Sequence, residues 1–361
     1  MDRFARLGSP VAGTTMLSKG MRPMTALRRS ISRRTTIQGL AATAGIGLIG
    51  RPAAFAQGHE LLFMEPFDLA FEFMHEMNGV VGGHFGKEGL DVRIDNARGT
   101  SVAMQQVIAG QAFVTRVGAL DLIKASAAQD VKLVSIATSL QQGIFSLVSL
   151  KSAPLMTPQD LRGKTIGVAS MGGGQENTLN LILASAGISP SEVPRQAIGS
   201  NAGNVEVLKQ GRVNGFFATV ETSILLRSEP VEIWSASKYA PMPGGVIVTT
   251  RDFVDKNPEI AVKFVRAMRS SAKDILTADP NVIVERIEKK YDIATSKDRS
   301  FRVEAIKAYN AMTTAQGEEN IMRNVPEVWQ KAAELVTKAG IAKVADVTTL
   351  YDNKYLDEAV R

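Results

Sequence analysis

The sequence predicts an α/β protein of two similar lobes, carried behind an N-terminal export segment. Three observations predict it. Short apolar runs alternate with stretches of helical spacing from Leu61 to about Thr249, as in helices packed on parallel sheets. A helix–glycine–strand unit occurs twice, at Val107–Val114 and Leu208–Gly215. Residues 1–56 read basic, then apolar, then small.

The export segment comes first. Arg33-Arg34 precedes an apolar run, Ile37 to Ile49, which is too short for the roughly 20 residues of a bilayer span. Ala54-Phe55-Ala56 follows, a small-x-small triplet of the kind signal peptidase cuts. Arg28, Arg29, Arg51 and the weakly apolar core point to a twin-arginine signal. Thr36 and Ile37 stand where Phe-Leu is usual, so the route is less marked than the export. A disordered basic tail would explain the charge but not the apolar core and triplet together.

Charge belongs to this segment. Residues 1–56 hold nine Lys/Arg against Asp2, a net +8, within a chain of net +6, so the remainder carries −2. No basic face for nucleic acid is implied. The remaining 305 residues suffice for two lobes, and no further apolar run reaches spanning length, so a soluble, periplasmic protein is expected. The chain has no cysteine. Disulfides, thiolate nucleophiles and Cys-ligated metals are excluded.

The elements follow in order. Leu61–Met64 reads as a strand and Leu69–Phe85 as a helix, with a break expected at Gly79, Gly82 and Gly83. A strand at Val92–Ile94, a helix at Val102–Ala109 and a strand at Ala112–Val117 come next. A helix at Leu120–Ala125 and a strand at Lys132–Ala137 complete the first half. The second half repeats the plan, with strands at Phe145–Leu150, Thr165–Ala169, Gln196–Ile198, Gly215–Ala218 and Gly245–Thr249. Its helices are expected near Thr157–Leu161, Gln175–Ala186 (stopped by Gly187) and Val205–Gln210. The last third is helical, with Asn257-Pro258 and Asp279-Pro280 as helix starts.

Parallel sheets bind ligands at the carboxyl ends of their strands, so the candidate site residues lie just after each strand. In the first lobe these are Glu65, Phe67, Asp68, Thr100, Ser101, Arg116, Gly118 and Thr138. In the second they are Ser170, Met171, Gly172, Gly173, Thr219 and Glu221. The Ser170–Gly174 loop could present backbone N–H groups to an anion at a helix start, or could be a plain connection. Thr100 and Ser101 could do the same, or simply cap a helix. Arg116 falls in a buried strand and needs an anionic partner, either a ligand or an internal Asp or Glu. Catalytic constellations are missing: there is no G-x-S-x-G, and His59, His75 and His84 lack metal-ligand spacing, so packing or surface roles are expected.

Several segments carry a family resemblance. Gly83-His84-Phe85-Gly86-Lys87-Glu88-Gly89-Leu90-Asp91-Val92 resembles a signature of periplasmic binding proteins for sulfonates, nitrate, taurine and thiamine-pyrimidine precursors. Asp160–Val168, Leu183–Ile188, Asn257-Pro258-Glu259 and Leu350–Leu356 are similar to later segments of the same family. The resemblance implies the type II-like fold of the solute-binding component of an ABC importer. Lobe 1 would comprise 57–147 plus 247–361 and lobe 2 148–246, joined by two crossing strands near 140–150 and 240–250. It further implies a monomer that uses no cofactor or metal and performs no catalysis. Its partners would be a small solute, a permease, an ATPase and the export translocon. The family's ligands are often anionic, which suits Ser170, the glycines and Arg116, whereas Glu221 would suit an amine or ring N–H. The rival reading, a pyrimidine-synthase-like enzyme on the same fold, is disfavoured by the missing cysteines and by export.

Overall fold

In the computed structural model, residues 60–128, 132–293 and 296–361 are described; the export segment read in residues 1–56 lies outside them. Two five-stranded sheets carry the chain. The first contains β1 (Leu61–Glu65), β2 (Val92–Asn96), β3 (Val114–Val117) and β4 (Leu133–Leu140). The second contains β5 (Ser146–Leu150), β6 (Ile166–Val168), β7 (Arg195–Ala197), β8 (Gly215–Ala218) and β9 (Val231–Ser235). The chain then returns to the first sheet as β10 (Gly245–Thr250). The strand orders are β2-β1-β3-β10-β4 and β7-β6-β8-β5-β9.

The expected parallel sheets are in fact mixed. β1, β2 and β3 pair in parallel, as do β6, β7 and β8, but β10 runs antiparallel to β3 and β4, and β5 antiparallel to β8 and β9. The reason is topological: β5 and β10 each enter directly from the other lobe and meet their sheet from the opposite direction. β9, Val-Glu-Ile-Trp-Ser, had no counterpart in the sequence reading; its charged Glu232 broke the apolar run, and it sits at the sheet edge, where that is tolerated.

The helices keep the expected order. A 3₁₀ turn at Phe71–Phe73 leads into α1 (Met74–Val81) and α2 (His84–Lys87). The break between them falls at Gly82-Gly83, where Gly83 takes φ 73°. Then come α3 (Thr100–Ile108), α4 (Ala119–Ala128), α5 (Gly174–Ser185), α6 (Asn204–Lys209) and α7 (Val220–Leu225). The helix–glycine–strand repeat becomes α3–Gly110–β3 and α6–Gly211–β8, and β3 and β8 hold the same third place in their sheets.

The C-terminal part forms α8 (Arg251–Lys256), α9 (Pro258–Thr277), α10 (Pro280–Glu288), α11 (Arg299–Thr313), α12 (Pro326–Lys338) and α13 (Lys354–Ala359). Pro258 opens α9, but Asn257 does not cap it; its amide donates back to the Phe253 carbonyl at 2.9 Å. The apolar face of α9 buries Ala261, Phe264, Val265, Met268, Ala272 and Ile275. Phe264 stacks on Phe85 at 5.2 Å and meets Phe113 edge-on at 5.1 Å. Each buried Phe, Val, Met or Ile side chain among them contributes about 1.5–3 kcal/mol. α12, expected within the first lobe, packs on α5 of the second, and Trp329, Ala332 and Val336 share a cluster with Leu179 and Leu183. Among the described residues no helix is long and apolar enough to cross a membrane.

Candidate functional site

The two crossings set the site. The chain leaves the first sheet at Leu140 and enters the second at Ser146; it leaves at Ser235 and returns at Gly245. The crossings press together so closely that a Cβ on Gly244 would stand 1.9 Å from the Gln142 carbonyl. Beside them lies an interlobe cavity of about 280 Å³. This is near the lower limit for pockets that hold small organic ligands. A larger depression of about 590 Å³, around His84, Lys87, Ser270 and Asp274, is an open groove on the outside of the first lobe.

Most of the interlobe cavity is apolar. Phe67 and Leu120 line it from the first lobe, Ile144, Phe145 and Met242 from the crossings, and Leu181 from the second lobe. Its charged lining groups are Glu72, Arg116 and Asp121. Glu72 lies in the 3₁₀ turn, Arg116 on β3 and Asp121 in the first turn of α4.

Arg116 is almost completely buried, and its Nη1 donates to Glu72 Oε1 at 2.8 Å. Its Nε donates to Ser139 Oγ at 3.1 Å and lies 3.8 Å from Glu76 Oε1. The guanidinium also sits 5.0 Å over the Phe73 ring. Of the two partners the sequence left open, the geometry selects an internal acid. Burial alone would pull the guanidinium down, but Glu72, Glu76 and Glu65 together hold it above its ordinary value.

The acids respond in the opposite sense. Burial, reinforced by Glu76, pushes Glu65 well above the carboxylate range despite Arg116. Burial raises Glu76 to about 7 against the pull of Arg116. Burial also raises Asp121, with Lys124 opposing it.

The predicted site residues divide. Phe67, Thr100, Arg116 and Gly118 line the cavity. Glu65 does not: its carboxyl is fully buried in the first lobe. Asp68 is exposed and accepts from Asn96 Nδ2 at 2.9 Å, outside the cavity. Ser101 is exposed on α3 and does not line it. Thr138 is buried and donates to Asn324 Oδ1 at 3.0 Å.

The second-lobe loop also departs from expectation. Ser170, Met171, Gly172 and Gly173 stand outside the lining, which begins at Gly174. The Gly172 N–H donates to the Glu176 carboxylate, so the chain's own acid occupies the expected anion cradle. Thr219 caps α7 by accepting from the Thr222 N–H, and Glu221 accepts from the Tyr309 hydroxyl of α11. His75 is buried in a packing position, whereas His84, on the groove outside the first lobe, has its ring nitrogens 3.0 Å from Ser270 Oγ and from Asp274 Oδ2.

Glu72, Asp121, Ile144, Phe145, Thr178, Ser237 and Met242 also line the cavity, outside the set expected from the sequence. One signal was available: Glu72 and Glu76 stand four residues apart, one helical turn, on a segment otherwise rich in Phe and Met. The crossing residues gave none, because they follow no parallel-strand end.

Residues 71–282, more than half of the chain, match the family model described as "NMT1/THI5 like". The chain belongs to the NMT1/THI5-like family. A riboflavin-binding protein, RibY of Chloroflexus aurantiacus, is 24% identical over 285 residues, covering 76% of this chain and 79% of its own. Among solved structures, the putative periplasmic sulfonate-binding protein SsuA of Methylobacillus flagellatus superposes with a TM-score of 0.63. It is 20% identical, over 84% of this chain and 94% of its own. The desulfurization enzyme DSZB shares the fold at TM-score 0.53 and 9% identity, over 83% of this chain and 99% of its own. This NMT1/THI5-like chain therefore has the two-lobed periplasmic-binding-protein fold, whose neighbours include both binding proteins and an enzyme.

Proposed function

We propose that the protein is the exported solute-binding component of an ABC import system. In this reading the lobes close about the two crossings, and the cleft takes a small flat solute that offers an N–H or a cationic group. The observation that carries the reading is Glu72. Its carboxylate is one-quarter exposed on the wall of a mostly apolar cleft, and the cation lining that wall, Arg116, is already committed to it. A ring packed between Phe67, Phe145 and Leu181 would leave one polar edge for this carboxylate. Riboflavin, named for the relative RibY, has a flat ring system with one ring N–H. This solute class differs from the anionic one expected from the sequence, because the Arg116 guanidinium is already paired with Glu72.

A second reading, an anionic solute, rests on a different observation. Thr100 and Gly174, the first residues of α3 and α5, both line the cavity, and neither helix has a side-chain N-cap. Uncapped N-termini favour negative charge.

Thermal-shift titration of the purified protein with riboflavin, 4-aminopyrimidine, taurine and nitrate separates the two. Binding of a ring solute raises the melting temperature by linkage. Stabilisation by taurine or nitrate alone would replace the first reading with the second.

A further inference from the structure

The first lobe buries more carboxyl groups than it neutralises. Both oxygens of Glu65 and both oxygens of Glu76 have no hydrogen-bond partner among the described residues, and both side chains are fully buried. Arg116 is the guanidinium they share with Glu72. If all three carboxyls were ionised, a dry site would carry two uncompensated negative charges, which burial forbids. Glu72 alone of the three faces the cleft. Arg116 is therefore divided between one carboxylate that a solute can reach and two that it cannot.

We propose that Glu65 and Glu76 are positioning residues that make solute capture proton-linked, with Arg116 as the element that turns between them and Glu72. This rests on the reading that a solute donor engages Glu72. When a cationic solute takes Glu72, the guanidinium turns to Glu76, already 3.8 Å from its Nε. Glu76 then releases its proton to solvent. The Arg116–Glu72 hydrogen bond gives way to one from the solute, and the only covalent bond broken is the Glu76 O–H: the solute brings one positive charge, the proton removes one, and the charge of the site is conserved. An anion gains nothing from this exchange, so the set selects for donors. Affinity rises with pH through the range where Glu76 ionises, near 7, because below it the proton competes with the solute.

Glu65 on β1, Glu72 in the 3₁₀ turn, His75 on α1 and Arg116 on β3 face the cluster. Tyr291, after α10, feels Glu65, and Glu221 of α7 feels Glu72. Tyr309 of α11 feels both Glu72 and Arg116. Arg286 of α10 and Asp274 of α9 meet α1 at Asn78 and pair there with each other.

The test begins without a solute. Infrared titration of the whole protein follows the protonated-carboxyl C=O band in wild type, Glu76→Gln and Glu72→Gln. Glu65 keeps a protonated-carboxyl band throughout; beside it we expect a component that disappears with a midpoint near neutrality, is lost in Glu76→Gln, and moves down by about one pH unit in Glu72→Gln. Absence of a component that titrates near neutrality and is lost in Glu76→Gln, or a midpoint unmoved by Glu72→Gln, overturns the proposal. If Glu76→Gln does not fold, the Glu72→Gln shift decides alone. The second arm uses 4-aminopyridine, a flat ring that stays cationic throughout pH 5 to 8. Binding that tightens with pH in wild type but not in Glu76→Gln supports the linkage, and pH-independent binding in both overturns it. Failure of this probe to bind while the infrared shift holds removes the proposed solute class and leaves the Arg116 exchange standing.

Discussion

A Cβ placed on Gly245 would stand 2.5 Å from both Nε and Nη2 of Arg116. Gly245 is the first residue of β10, the strand that returns from the second lobe, and Arg116 lies on the neighbouring β3. The guanidinium thus occupies the space that a side chain would take, and the Gly245 carbonyl accepts from Ser139, which itself accepts from Arg116. Gly245→Ala should displace the guanidinium from Glu72 and cost about 1–3 kcal/mol. Urea denaturation measures this; an unchanged midpoint would mean that Arg116 has a second place to go.

His75 is fully buried, with Nε2 3.1 Å from Thr313 Oγ1 and Nδ1 unpartnered among the described residues. Burial first, and the Arg116 charge second, lower its pKa from 6.5 to about 3. The folded state therefore refuses a proton that the unfolded state accepts below about pH 6.5. His75 costs no stability above that value, and stability is lost as pH falls toward 3, by up to about 1.4 kcal/mol per unit. His75→Gln, which can keep a bond to Thr313, should flatten the acid limb of the stability curve. An identical limb in both proteins would assign the acid sensitivity to other groups.

The lobes also meet through α7 and α11. The Tyr309 hydroxyl donates to Glu221, while Val220 and Ile224 pack against the cluster that holds Phe71 and Ile306. Burial, with Glu72 next, raises Glu221. Tyr309→Phe removes about 1 kcal/mol of hydrogen bond and leaves the half-buried Glu221 carboxyl short of a partner. Small-angle scattering should show a larger radius of gyration for the variant. Arg227→Ala breaks only the exposed pair with Glu304, 2.8 Å apart, and should leave the radius unchanged. Equal profiles for Tyr309→Phe and wild type would show that the Tyr309–Glu221 bond does not hold the lobes together.

Thr138 and Phe145 form a contrasting pair. Thr138 is tied to Asn324, which also accepts from Ser135 Oγ at 2.7 Å. Thr138→Val should lower stability by about 1–2 kcal/mol and leave riboflavin or 4-aminopyrimidine affinity as it was. Phe145→Ala, at the cavity wall, should weaken the same probe about tenfold through lost apolar cover. The reverse pattern, measured by calorimetry, would place the binding site elsewhere.

The sequence by itself determined the local elements and their order. Strand and helix periods are properties of neighbouring residues, so β8 was read residue for residue. Gly110, Gly187 and Gly211 fell at helix ends with φ near +70°, as glycine's missing Cβ allows. The sequence also determined that Arg116 would be buried and would need an anionic partner, either a ligand or an internal acid. Tertiary structure alone decided which acid. Glu72 is 44 residues away and reaches Arg116 only because the 3₁₀ turn folds over β3, while Ser139 comes from β4 through the intervening β10. It likewise decided that β5 and β10 run antiparallel, that Glu176 fills the Gly172 cradle, and that the crossings wall the cleft. The physical reason is the same in each case: a hydrophobic period fixes which face of a segment is buried, whereas charge pairing depends on which distant segment is brought against that face.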